Sequence, residues 1–138
     1  MSDKTEPLKI LTFGYGNRRN YEKFINYLQS YGVEYVVDVR LKPRAWSRKW
    51  YGEEIKNLCV SKNINYISEP SLGNTSGKAN WVPVDEKSAE VALSEVANLA
   101  RSGTVLLLCA ELDYQRCHRT EIADKLAKIV ALPVEHLR

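Results

Sequence analysis

The chain has 138 residues, 44% hydrophobic and 27% charged, which suits one globular domain built on one core. No apolar run approaches the ~20 residues needed to cross a bilayer, and the polar stretch Met1 to Lys9 lacks the pattern of a secretory leader, so the expectation is no membrane and a cytoplasmic location. A net charge of +3 names no partner, and three cysteines are too few, and odd in number, for a disulfide framework.

The elements follow in chain order. Ile10 to Phe13 reads as a first strand, ended by Gly14 and Gly16. Asn20 is an N-cap candidate for a helix over Tyr21 to Tyr31, which Gly32 stops. The β-branched run in Tyr35 to Val39 suits a second strand covered on both faces. From Arg40 to Tyr51 the chain carries Arg40, Lys42, Arg44, Arg48 and Lys49 with no acid, and Trp46, Trp50 and Tyr51 among them; Arg18 and Arg19 form a second basic pair. A helix over Glu53 to Lys62 places Cys59 on its apolar stripe, and Asn65 to Ile67 is a short third strand. Glu69 to Pro83 is irregular. Asp85 can cap a helix running to Arg101, Val105 to Leu108 is the most apolar strand, and Asp113 can cap a helix around Cys117 to Val130. Val134 to Leu137 closes the chain as a last strand.

This alternation predicts an α/β fold. The expected architecture is a single three-layer domain over residues 1–138, with a mainly parallel sheet of about five strands and helices on both faces. Residues 1–8 read as a flexible N-terminus. In such a sheet the loops after the strands gather along one edge, where ligands bind.

Three loops at that edge carry chemistry. Gly14-Tyr15-Gly16-Asn17 is expected to lead into a helix N-terminus, so Gly16 and Asn17 are anion-binding candidates; a plain tight turn is the other reading. The third glycine of a dinucleotide fingerprint would fall at Arg19, so that motif is absent. In Asp38-Val39-Arg40, residues two apart share a face, so Asp38 can hold Arg40 for an anion or simply form a structural ion pair. The third loop runs Cys109-Ala110-Glu111, then Cys117-His118-Arg119, with the latter three expected in the first turn of the following helix. Arginines and a helix N-terminus favour thiolate, the reactive form of cysteine. Cys109, Cys117, His118 and Glu111 are therefore catalytic candidates, and Arg40, Arg44 and Arg119 anion-binding ones.

Cys109, Glu111, Cys117 and His118 also offer metal-ligand chemistry, but the cysteine pairs two to four residues apart that mark structural zinc are missing, and neither metal nor cofactor is expected. Three function classes remain: thiol or acid/base chemistry on, or binding of, a small phosphate- or sulfate-like anion; nucleic-acid binding through Lys42, Arg44, Trp46, Arg48, Lys49 and Trp50; and a metal or thiol-redox protein.

The pattern resembles the family filed as domain of unknown function 488. The resemblance is carried by the glycine loop with Asn17, Asp38-Val39-Arg40, Pro43-Arg44, Leu72-Gly73, Leu107 to Glu111, Cys117-His118-Arg119, Ile122-Ala123-Asp124 and His136-Leu137. It implies that these loop residues are the family's shared feature, and no activity. A looser similarity is to rhodanese-type sulfurtransferases and cysteine phosphatases, which also set a cysteine after a buried strand. This chain lacks a Gly-His-Ile-Pro-Gly-Ala type segment after Arg40, and it lacks the phosphatase Cys-x5-Arg loop, having six residues between Cys109 and Arg116.

Overall fold

A computed structural model describes residues 7–138; of the N-terminal segment expected to be flexible, residues 1–6 lie outside the described residues. Five strands form one sheet: β1 (Ile10–Gly14), β2 (Val33–Asp38), β3 (Asn65–Ser68), β4 (Thr104–Cys109) and β5 (Val134–His136). All pairings are parallel, in the order β3-β2-β4-β1-β5. The expected α/β fold is observed.

Four α-helices connect the strands: α1 (Glu22–Ser30), α2 (Gly52–Ser61), α3 (Glu86–Ala100) and α4 (Arg119–Val130). Parallel crossovers are right-handed. The first two carry the chain one way along the sheet, from β1 through β2 to β3, so α1 and α2 share a face. The return to β4 and then to β5 runs the other way and puts α3 and α4 on the opposite face.

Two cores result. Leu11, Phe13, Val36, Leu106 and Leu108 pack with Phe24 and Leu28 of α1 and Ile55 and Cys59 of α2. Ile10, Val37, Val105, Leu107 and Cys109 pack with Ala92, Val96, Ile122 and Leu126 of α3 and α4. Consecutive residues of β4 alternate between the two, as the pleat demands. Burial alone pushes the Cys59 thiol up to about 12, in keeping with a core residue.

Boundaries differ from expectation in two places that matter. Asn20 accepts the Glu22 N–H through its Oδ1 at 3.0 Å, but α1 begins only at Glu22, six residues beyond Gly16. The glycine loop therefore does not open directly onto a helix N-terminus. Similarly, Asp113 caps a single 3-10 turn over Tyr114–Arg116, accepting the Gln115 N–H at 3.0 Å. Cys117 then turns extended, His118 is the N-cap, and α4 starts at Arg119.

Candidate functional site

β4 lies between β1 and β2, and its outgoing loop heads for the face opposite theirs. The loops diverge here, which opens a crevice at the carboxyl ends of the strands, the position where open α/β sheets bind ligands. Every loop residue singled out in the sequence reaches this edge, but the pleat divides them between the two faces.

On the α1/α2 side, Asp38 and Arg40 form a buried bidentate pair. Arg40 Nη2 and Nε donate to the two carboxylate oxygens at 2.6 and 2.8 Å, and Tyr66 Oη donates to Asp38 Oδ2 at 2.5 Å. The remaining Arg40 nitrogen, Nη1, donates to Tyr15 Oη at 3.1 Å and to the Trp50 carbonyl at 2.8 Å. Burial works against the Arg40 charge, but Asp38 more than offsets it and the guanidinium is held protonated. The pair therefore ties the ends of β1, β2 and the basic loop together.

Trp50 belongs to this assembly. It is buried, its ring stacks on Tyr15 at 4.9 Å between centroids, and Tyr21 and Phe24 meet it edge-on. Its Nε1 donates to the Arg18 carbonyl at 2.9 Å. The expectation that Trp50 offers its ring to a base is corrected on that ground: its faces are already occupied. Trp46, four residues earlier, is fully exposed.

Outside this buried layer lies a cleft of about 1000 Å³. The β1 loop lines it with Tyr15, Gly16, Asn17, Arg18 and Arg19; the β2 loop lines it from Arg44 to Ser47 and from Lys49 to Tyr51; Ala110 contributes from the β4 loop. Four cations and no carboxylate are among these residues. The Gly16 N–H is committed to the Ala110 carbonyl at 2.8 Å, so the positive potential comes from side chains rather than from that amide. Arg44 lies over one side of the Tyr51 ring region at 5.8 Å, as does Arg48 at 5.6 Å. Lys42 and Arg48 are exposed and do not line the cleft.

On the α3/α4 side, Cys109 ends β4 and Cys117 precedes α4, both buried. Their sulfurs and one ring nitrogen of His118 all lie within 4.8 Å of one another. Cys117 Sγ is 3.8 Å from His118 Nδ1. His118 Nε2 is 3.0 Å from the Val39 carbonyl and 3.1 Å from that of Leu72. Carbonyls only accept, so Nε2 carries the proton and donates it. The Cys109 S–H, donated to Cys117, pulls the Cys117 thiol well below its usual range, with Arg119 helping against burial; the same donation and burial push Cys109 up.

Arg119 is fully buried, and its Nη1 and Nη2 donate to the Glu111 and Leu112 carbonyls at 2.5 and 3.3 Å. It fixes the loop between the two cysteines. Glu111 points its carboxylate outward, where Oε2 accepts the Asp113 N–H at 3.1 Å. None of Cys109, Cys117, His118, Glu111 or Arg119 lines the basic cleft.

The chain matches the family model described as domain of unknown function DUF488 over residues 20–126. It belongs to that family. The DUF488 match takes in Asp38, Arg40, the basic loop and both cysteines, and stops short of the β1 loop and His136. No curated protein and no solved structure matches the chain, and nothing ties it to the rhodanese-type proteins.

Sequence reasoning passed over Tyr15, Tyr66 and the Leu72 carbonyl. Tyr15 carried a signal, since an aromatic between two loop glycines is unusual company. The carbonyl carried none, because it lies 46 residues from the histidine it orients.

Proposed function

We propose that this protein binds a small phosphate- or sulfate-like anion in the cleft between the β1 and β2 loops. One observation carries the reading: Arg18, Arg19, Arg44 and Lys49 line that cleft and no carboxylate does. Seventeen acids are spread over the chain, so their absence from this lining concentrates positive potential there. The volume matches the upper range of ordinary small-ligand sites, about 300–1000 Å³. The buried Asp38–Arg40 pair acts beneath the cleft as its floor, holding both loops in place, while the exposed guanidinium groups and Lys49 make contact.

Calorimetric titration with pyrophosphate at low ionic strength tests this. Arg19→Ala and Arg44→Ala should each weaken binding by about tenfold, the scale of one lost charge-assisted hydrogen bond. Affinity unchanged in both variants would remove the cleft as the binding site.

Trp46 favours a second reading, nucleic-acid binding. Its ring is fully exposed beside Arg44 and Arg48, also exposed. An indole flanked by guanidinium groups can stack a base while phosphates are neutralised. Trp46→Ala separates the two: it should weaken a short single-stranded oligonucleotide by about 1–3 kcal/mol under this reading, and weaken pyrophosphate far less, because an indole at the cleft wall carries no charge for an inorganic anion.

A further inference from the structure

The side chains on the α3/α4 side of the edge have no part in the anion reading. Cys109, Cys117 and His118 come from two points of the chain's course: the end of β4, and the adjacent pair that links a 3-10 turn to the N-cap of α4. Seven residues separate the cysteines, a spacing unlike the short paired motifs of structural zinc. Folding supplies what the spacing lacks. The loop between them is pinned by Arg119 to the Glu111 and Leu112 carbonyls, which returns Cys117 to the side of Cys109.

We propose that Cys109 Sγ, Cys117 Sγ and His118 Nδ1 are three ligands of a site for a soft divalent cation of the zinc type. This does not rest on the anion reading.

Three arguments carry it. The two sulfurs and one ring nitrogen already lie within 4.8 Å of one another, close to the separations of ligands that share one tetrahedral ion. The imidazole is held as a metal-binding histidine is held. Nε2 donates to two backbone carbonyls, from the end of β2 and from the segment after β3, which fixes the tautomer and turns the Nδ1 lone pair toward the sulfurs. Charge also closes. Two thiolates and a neutral imidazole around a divalent cation sum to zero, so the complex tolerates this burial. Each thiol gives up its proton to solvent as the metal–sulfur bond forms.

No fourth Cys, His, Asp or Glu among the described residues joins the group. The site thus has three protein ligands and one coordination position for water or an incoming donor, the pattern of reactive rather than purely structural zinc.

The test uses the full chain, reduced and freed of metal by a chelator. Titration with Co2+ should give one equivalent with visible tetrahedral bands and a near-ultraviolet thiolate charge-transfer band, and Zn2+ should displace it. Cys109→Ser and Cys117→Ser should each weaken Zn2+ binding by about a hundredfold or more, whereas Cys59→Ser leaves it unchanged. If either site variant fails to fold, X-ray absorption on the Zn2+-loaded natural chain decides. It should show two sulfurs at about 2.3 Å and one imidazole nitrogen at about 2.0 Å. No stoichiometric cobalt complex, a sulfur count other than two, or rapid Cys109–Cys117 disulfide formation without metal uptake would overturn the proposal.

Discussion

At Gly14 the backbone of β1 meets the cysteine loop so closely that a Cβ would stand 1.8 Å from the Glu111 carbonyl oxygen and 2.9 Å from Arg119 Nη1. Arg119 Nη1 is bonded to that carbonyl, so the oxygen and the guanidinium crowd the added methyl together. Gly14→Ala should therefore cost about 3 kcal/mol in chemical denaturation, at the upper end for overpacking. A loss under about 0.5 kcal/mol would show that the contact is slack. Asp38 sets the second residue-scale case. Asp38→Asn leaves the Arg40 charge buried opposite a neutral amide and should lower stability by about 3–5 kcal/mol, whereas Asp38→Asn with Arg40→Met should recover part of it. The pairing itself was legible, since residues two apart on a strand share a face. Its other partners were not. Tyr66 and the Trp50 carbonyl come from distant segments, and only the assembled sheet shows that Arg40 is committed inward.

Among the elements, the loop after β2 divides its two tryptophans between opposite tasks. Trp50 fills the core against Tyr15, Tyr21 and Phe24, so Trp50→Ala should cost about 3–5 kcal/mol. Trp46 touches water on all sides, so Trp46→Ala should stay within about 0.5 kcal/mol of the parent. Urea midpoints for the two variants would check the contrast, and similar losses would contradict it. Composition could not assign these roles, because both rings sit among the same bases in sequence. Another contact joins the segment after β3 to α3. Burial, with a hydrogen bond and charge from Glu95, pushes the Glu69 carboxyl up to about 7. A raised folded-state pKa means stability that is complete below about 4.5 and is lost as pH rises through about 7. Glu69 is half-buried, so solvent reduces the effect to about 1 kcal/mol. Glu95→Gln should flatten this part of the stability profile; an unaltered slope between pH 5 and 8 would reject the coupling. Nothing in the irregular stretch from Glu69 to Pro83 announced it, whereas the strands and α-helices around it were readable from apolar periodicity. The start of α4 was misread for a local reason: Asp113 caps, but what it caps is a 3-10 turn.

At the scale of the whole molecule, topology explains why one predicted cluster divides into two groups of side chains. The carboxyl edge was foreseeable from strand–helix alternation. What alternation in sequence does not reveal is the strand order, and with it the insertion of β4 between β1 and β2. That insertion sends the cysteine loop to one face and both basic loops to the other. Tyr15 sits at the seam: its hydroxyl is buried and takes a bond from Arg40, whose charge acts on it. Even so, the thiols do not line the cleft. The sites should accordingly act independently. Cys109→Ser and Cys117→Ser should leave pyrophosphate affinity within about twofold of the parent, less than the ~1 kcal/mol that typical coupling between sites would bring. Raising the salt concentration should weaken pyrophosphate binding steeply, because the cleft's cations face solvent and are screened over about 10 Å at 0.1 M. Zn2+ binding should change little over the same range, since its ligands are buried and bond directly to the ion. Calorimetry of each ligand across a salt series, with and without the other present, measures all of this. A cysteine variant that abolishes pyrophosphate binding while its circular dichroism stays native would mean that the two faces form one functional site after all.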